Sequence, residues 1–488
     1  MLPFPTMATD SNNASARARQ EMLATTPVKP LLWKLATPAM VGMMTMALYN
    51  VVDTIYVGHG VGPLGIAGVT IAFPLMMLIM ALGQMFGLGA ASVISRNLGA
   101  GQMRRAEVAL GNAGMAVIAL GLLVTAICLP ASSSLLRLFG ASDTILPYAS
   151  DYLDIVLLGA AFAAYPMAMN NLVRAEGNAR VAMNSMIMGA CINIALDPVF
   201  IFGLGMGVQG AAIATVISQI ATTTYLTWYF RSGRSTLRLS LAAMKPHWSI
   251  LRETVVIGFP SFLRMGAMSL IALIINRTLG AYGGDLSIAA YGVVNRTMMF
   301  AAMPLMGIGQ GLQPILGFSY GAGRFDRAYE VTRYTLLVAV AYSVFAFVLL
   351  VFFAGPVTHI FSTDEALVEI AVHAARYVYA AFFVVGFQIL GSVVFQSIGL
   401  ARQTFITSIS RQVLFLVPLL LVLPRFFEAD GIWLSFPVAD VLSTVLTAVL
   451  LLPLLRDFRQ KRDYQIHQNS AGSRQDTLRI EPAPASAD

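Results

Sequence analysis

Charge is what this chain has least of. Only 11% of its 488 residues are charged while 57% are hydrophobic, against roughly 25% charged in an average soluble domain, so water cannot be its only solvent. Lysine is nearly missing: Lys29, Lys34, Lys245 and Lys461 are all there are. None sits in a Gly-x-x-x-x-Gly-Lys cradle, which excludes a nucleotide-driven pump and leaves an ion gradient, or the substrate's own gradient, as the energy source. Cysteine occurs twice, at Cys128 and Cys191, both inside apolar runs, and this excludes a disulfide framework or a cysteine metal site. The first 28 residues are polar and lack the apolar core of a cleavable signal peptide. The tail from about 463 is polar and poor in aromatics, the composition of disordered chain.

What is present is apolar length. Twelve stretches, approximately 31–56, 64–95, 108–130, 147–175, 181–204, 208–231, 253–279, 286–318, 331–354, 367–397, 403–424 and 431–455, are each long enough to cross a hydrocarbon core of about 30 Å as a helix. The net charge of +7 is spread over short junctions instead of forming a nucleic-acid patch. Arg104/Arg105, Arg174/Arg180, Arg231 to Lys245, Arg324/Arg327 and Arg402 fall on one set of alternate junctions, while Gly58–Pro63 and Gly203–Gln209 on the other set have no basic residue. The positive-inside rule therefore puts both termini and the 231–252 connection in the cytoplasm.

The sequence repeats itself at an offset of 222 residues: Pro38 falls on Pro260, Gly87 and Gly89 on Gly309 and Gly311, and Gly99-Ala100-Gly101 with Arg105 on Gly321-Ala322-Gly323 with Arg327. Each unit carries six spans, so both enter the membrane in the same direction and face each other across a cleft. The expected architecture is an all-α integral membrane protein of twelve transmembrane helices in two homologous six-helix lobes with a central cleft. Its parts are an N-terminal segment 1–30, an N-lobe 31–231, a linker 232–252, a C-lobe 253–455 and a disordered tail 456–488.

Acids inside a span cost a few kcal/mol on insertion scales, about 2.5–3.5, and mark functional candidates. Asp53 in span 1, Asp197 in span 5 and Asp440 in span 12 are the ones singled out. At 1.5 Å per residue, Asp53, Asp197 and Thr215 share one layer, roughly 6–10 Å below one face of the membrane. Asn193 lies one turn before Asp197, and Tyr49 one turn before Asp53. Two carboxylates, an amide and a hydroxyl at one depth suit a proton or a small cation such as Na⁺. Helix capping is the structural alternative. The offset of 222 carries this set onto Ile275, Phe415, Leu419 and Pro437, so only the N-lobe has it. Asp440 is expected to pair with Arg411 of the preceding span; Arg264 and Arg296 are left without partners. Methionines, among them Met265 and Met298, gather in spans 1, 2, 5, 7 and 8, where flexible thioethers can line a promiscuous cavity.

Taken together, the paired Gly-Ala-Gly loops, Arg174-x-Glu176-Gly177-x-Ala179, Asn193-x-x-x-Asp197-Pro198 and Gly207-x-x-Gly210-Ala211-Ala212 resemble the multidrug and toxic compound extrusion (MATE) family in its DinF-like branch. The resemblance implies a cation-coupled antiporter of a bacterial inner membrane that works as a monomer on amphipathic, often cationic small molecules, surrounded by lipid, with no enzyme activity and no cofactor beyond the coupling ion, H⁺ or Na⁺. It further implies that Asp53, Asn193, Asp197 and Thr215 form the cation site, that Tyr49, Tyr152 and Asn170 lie beside it, and that Pro38 lets the first helix bend. A lipid-linked precursor flippase, which would want a more basic cleft, and a non-transporting receptor or channel are the alternatives.

Overall fold

The computed structural model describes residues 18–240, 242–361 and 364–479, and every regular element among them is helical. The N-lobe consists of α1 (Val28–Val61), α2 (Pro63–Gly99), α3 (Met103–Cys128), α4 (Leu146–Leu158 and Ala160–Ala175, bent by 57°), α5 (Ala179–Pro198, prolonged by a π-helical turn Val199–Gly203) and α6 (Gly207–Arg231). The C-lobe repeats the order with α7 (Trp248–Tyr282), α8 (Gly284–Gly321), α9 (Phe325–Phe352), α10 (Glu365–Val378 and Phe382–Ser397, bent by 56°), α11 (Ala401–Ile409, a π-helical turn Ser410–Leu416, and Val417–Val422) and α12 (Pro424–Arg479, kinked at Glu428). The kinks recur because the sequence recurs: both bends precede the paired Gly177 and Gly399 loops, where φ is 88° and 81°, a conformation open to glycine.

Among the described residues, eight helices are long and apolar enough to span a bilayer and the two bent pairs make ten. The remaining two, α6 and α8, have the length, 25 and 38 residues. They fall short in apolarity because α6 buries Thr215, Ser218 and Thr222 and α8 carries Arg296 and Gln313. Their repeat counterparts α12 and α2 are apolar spans, which fixes α6 and α8 as spans eleven and twelve of the count.

One apolar core runs from the N-lobe into the half of the C-lobe nearest the two chain ends, and a separate core, around Trp433, Tyr379 and Phe436, fills the far half of the C-lobe. The lobes thus join on the face that carries the termini. Glycines make that joint close. A Cβ on Gly99 would collide with the carbonyl of Phe318, and one on Gly321 with the carbonyl of Arg96; the offset of 222 exchanges the two contacts, so they obey the internal symmetry of the chain. Cross-lobe hydrogen bonds run from Ser92 Oγ to the Gln396 carbonyl (2.6 Å) and from Gln313 Nε2 to the Leu88 carbonyl (3.3 Å). Glu253 of α7 accepts from Arg96 (2.9 Å) and Arg105 (3.2 Å) of the N-lobe.

A helix at 18–25 crosses this closed face. Leu23 is fully buried, Arg327 Nη2 donates to the carbonyls of Leu23 (3.0 Å) and Thr26 (2.8 Å), and Arg19 Nε donates to Thr236 Oγ1 (3.2 Å). The connection after α6 is held to the N-lobe as well: Asn112 Nδ2 donates to the carbonyls of Ala243 and Lys245, both at 3.0 Å, and its Oδ1 accepts from the His247 amide (2.7 Å). The structure corrects the expected disorder after 455. The described part of α12 continues to Arg479, and it is held past 455 by Phe458, buried against Tyr320 and Phe325, by Lys461 over the Phe325 ring and by Gln465 Nε2, which donates to the Gly323 carbonyl (2.7 Å). Residues 1–17 of the N-terminal segment and 480–488 of the tail lie outside the described residues.

Candidate functional site

The residues singled out in the N-lobe converge from four helices. Asp53 and Tyr49 face inward from α1, both half-buried, and Asn193 and Asp197 on α5 are fully buried. Thr215 of α6 (4% exposed) and Tyr152 of α4 (3% exposed) complete the cluster. The Asp53 and Asp197 carboxyl groups lie within hydrogen-bonding reach of each other, and Thr215 lies within the same reach of both tyrosines. Each acid also has a buried oxygen, Oδ1, with no protein partner. Two facing carboxylates in an apolar lobe repel unless a proton or a cation lies between them.

Asn193 lies between Asp197 and Thr215. In the amide orientation that satisfies both its ends, Nδ2 donates to Asp197 Oδ2 (3.0 Å) and Oδ1 accepts from the Thr215 amide (3.1 Å). Turned over, the amide donates to Thr215 Oγ1 (3.3 Å) and sets its oxygen against the Asp197 carboxylate, an oxygen pair that wants a cation between. The turn after Asp197-Pro198 is π-helical, Val199–Gly203, a widening that recurs at functional positions in helices. Pro198, which offers no amide hydrogen to the helix, immediately precedes it.

Asn170 does not belong to this layer, contrary to expectation. Its Oδ1 accepts from Ser185 Oγ (2.5 Å), and Ser185 lies twelve residues before Asp197 on α5, roughly 18 Å away along the axis. Pro38 lies inside α1, which runs unbroken through it. Met265 and Met298 are half-buried on α7 and α8, and Met298 Sδ is 4.0 Å from Arg411 Nη2. The expected Arg411–Asp440 ion pair is present. Sequence reading passed over Asp154, half-buried on α4 with an unpartnered Oδ1; its place in the fourth apolar span was the available signal. It also left Glu176 as a motif letter. Glu176 is buried (1% exposed) and accepts from Tyr229 Oη, from Ser235 Oγ (2.6 Å) and from the Thr236 amide (2.8 Å). Burial pushes this carboxyl above the usual range, outweighing the opposing pull of Arg19 and the three donors.

Known proteins share both halves of this design. The MatE family model matches residues 38–199 and again 260–422, one match per repeat. The multidrug export protein MepA of Staphylococcus aureus (strain N315) is 28% identical over 431 residues, covering 88% of this chain and 95% of MepA. The solved structure of the MATE multidrug transporter DinF-BH superposes with a TM-score of 0.81 at 42% identity, over 88% of this chain and 96% of that one. An outward-facing conformation of a multidrug resistance MATE family transporter of the MOP superfamily gives 0.84 at 26% identity, over 90% and 98%. By its duplicated sequence and by its fold, this chain belongs to the MATE family of multidrug efflux transporters, multi-pass membrane proteins whose task is transport and not enzymatic catalysis.

Proposed function

We propose that this transporter is a cation-coupled antiporter that exports amphipathic, often cationic small molecules by alternating access, with Asp53, Asn193, Asp197 and Thr215 as its coupling site. The observation that carries the reading is the approach of Asp53 and Asp197, contributed by different helices, in a lobe where α1 beyond Lys34, α5 beyond Arg180 and α6 before Arg231 hold no Lys or Arg to neutralise them. With no resident base, neutralisation falls to an ion from solution. Tyr49 and Tyr152 close the site from α1 and α4, and Met265 and Met298 offer polarizable walls on the other lobe.

The face that carries the termini is the cytoplasmic one in this reading, and the chain is in its outward-facing form, its lobes joined by the glycine contacts and by Glu253. A cation entering from the far side neutralises the acid pair. The site then contracts, α1 gives at Pro38, where a helical hydrogen bond is already missing, and bound drug is released outward. Return through the inward-facing form requires the cross-lobe contacts at Gly99, Gly321 and Glu253 to part.

In its satisfied orientation Asn193 turns an N–H, not an oxygen, toward Asp197, so in that orientation it is no sodium ligand, and a proton is the coupling ion we favour. Sodium would need the amide turned over, so that Asn193 Oδ1, the two carboxylates and Thr215 Oγ1 form an oxygen cage. A proton exchanged for one monovalent cation moves no net charge. The pH gradient alone then drives export, about 1.4 kcal/mol per pH unit, or tenfold accumulation. Dye efflux from proteoliposomes in Na⁺-free buffer tests the whole reading. Asp53→Asn and Asp197→Asn should each abolish gradient-driven efflux while still inserting into the membrane, and near-normal efflux by either variant would overturn the site.

A further inference from the structure

The C-lobe answers the same electrostatic problem differently. Arg411 lies on the π-helical turn of α11, with Nε donating to Asp440 Oδ1 of α12; the side chains are 20% and 4% exposed. Arg411 is ten residues into α11 from one face, and Asp440 twelve residues past the Glu428 kink near the other, roughly 15 and 18 Å of helix. Both depths fall near the middle of a core about 30 Å thick. Among the described residues every other ion pair sits at a helix end, in a connection or on the extension of α12 past 455, except His373–Asp430, whose side chains are both half-exposed.

The helices concerned, α11 and α12, are the repeat counterparts of α5 and α6, which carry Asn193, Asp197 and Thr215 in the N-lobe. From Val181 to Phe230 those helices contain no Lys, Arg or His. The same helix pair thus presents an acid without a base in one lobe and an acid with its own base in the other. Packing gives no reason for this. A buried ion pair gains little over apolar side chains of equal volume, and each charge costs a few kcal/mol to hold in a membrane.

We propose that Arg411 acts as a tethered cation for Asp440, supplying from within the chain what an exchangeable ion supplies to Asp53 and Asp197. The C-lobe is thereby kept electrically silent through the cycle, and Arg411 sets the ion stoichiometry by confining exchange to one lobe. The inference rests on the N-lobe coupling site proposed above. Arg411 is a positioning and specificity residue: it fixes the charge state of Asp440, and it touches Met298, so an ion freed to exchange at Asp440 would sit beside the expected drug cavity.

The test counts protons released on drug binding by the purified full-length protein in lightly buffered, Na⁺-free detergent, with ethidium as the drug and a pH indicator as the readout. Arg411→Gln should release about one proton more per ethidium than the parent, because Asp440 must then take a proton of its own. Arg411→Gln combined with Asp440→Asn should return to the parent value, and Arg411→Lys should match the parent. No increase in folded Arg411→Gln, judged by gel filtration, would assign the pair to scaffolding alone and overturn the proposal. Should Arg411→Gln fail to fold, the double replacement Arg411→Met/Asp440→Leu, balanced in charge and volume, must keep the parental proton count; a lower count would mean that Asp440 already exchanges. Failure of the N-lobe reading is seen separately, as parental proton release in Asp53→Asn.

Discussion

Glu176→Ala removes the one acceptor that ties three parts of the terminal face together. Its carboxylate takes hydrogen bonds from Tyr229 on α6 and from Ser235 and Thr236 in the connection, and Arg19 of the 18–25 helix lies close enough to stabilise its charge. Each buried donor left without an acceptor costs about 1–3 kcal/mol. Three such donors, less whatever water recovers, put the loss at roughly 3–5 kcal/mol, a large part of the stability of a typical domain. Glu176→Gln should cost much less, because its amide oxygen still accepts from Ser235 and Thr236 while its N–H₂ can donate to Tyr229 Oη. The pH dependence has a definite sign. Burial raises the Glu176 carboxyl in the folded protein above an ordinary glutamate, so its contribution to stability is full below about pH 4.3 and declines as pH rises through the raised value. Thermal unfolding of detergent-solubilised protein from pH 4 upward checks both points. The parent should lose stability with rising pH relative to Glu176→Gln, and Glu176→Ala should melt well below either. Equal melting of the Ala and Gln variants, or a parent that gains on Gln as pH rises, would refute the account.

Gly321→Val puts a branched side chain against the Arg96 carbonyl and should shift the protein away from the closed terminal face, seen as faster labelling of a cysteine placed at Ala322. Arg327→Ala removes two charge-assisted bonds to the 18–25 helix, about 1.5–3 kcal/mol each at most, and should expose the chain near Thr26 to limited proteolysis while leaving the fold intact. Drug-stimulated efflux should follow an imposed pH gradient without Na⁺; strict dependence on Na⁺ with no response to pH would reject proton coupling and leave Asp53 and Asp197 as sodium ligands.

Much of the architecture was legible because two independent signals agreed. Apolar length located all twelve spans, α6 and α8 among them although their own composition is marginal, and the 222-residue offset pairs those two with α12 and α2. The ion pair of Arg411 and Asp440 followed from their places on two adjacent spans, within reach of a long side chain. Asn170 was placed beside the site by resemblance alone, and rise per residue along α4 already argues against it: eighteen residues and the 57° bend at Gly159 put Tyr152 and Asn170 at opposite ends of one span. The 18–25 helix and the extension of α12 were missed for another reason. Leu23 belongs to the three-residue apolar stretch Met22–Ala24 and Phe458 stands between Asp457 and Arg459, patterns too short to mark core, and only the grooves they fill in the folded chain make them so. Glu176 stood in a recognisable motif, but its partners Tyr229, Ser235 and Thr236 lie 53, 59 and 60 residues away, beyond the reach of local pattern.

The anchoring of the connection has a consequence for synthesis. When the ribosome has finished α6 at Arg231, the N-lobe has all six of its helices, yet Glu176 still lacks Ser235 and Thr236, and Asn112 lacks the backbone at Ala243, Lys245 and His247. The nascent half is therefore incomplete until about residue 247 emerges. A gene cut after Arg231 would strand a buried carboxylate and an amide in the first product and burden the second with an orphaned leader. A cut between His247 and Trp248 would divide the two lobes where the folded molecule itself divides them.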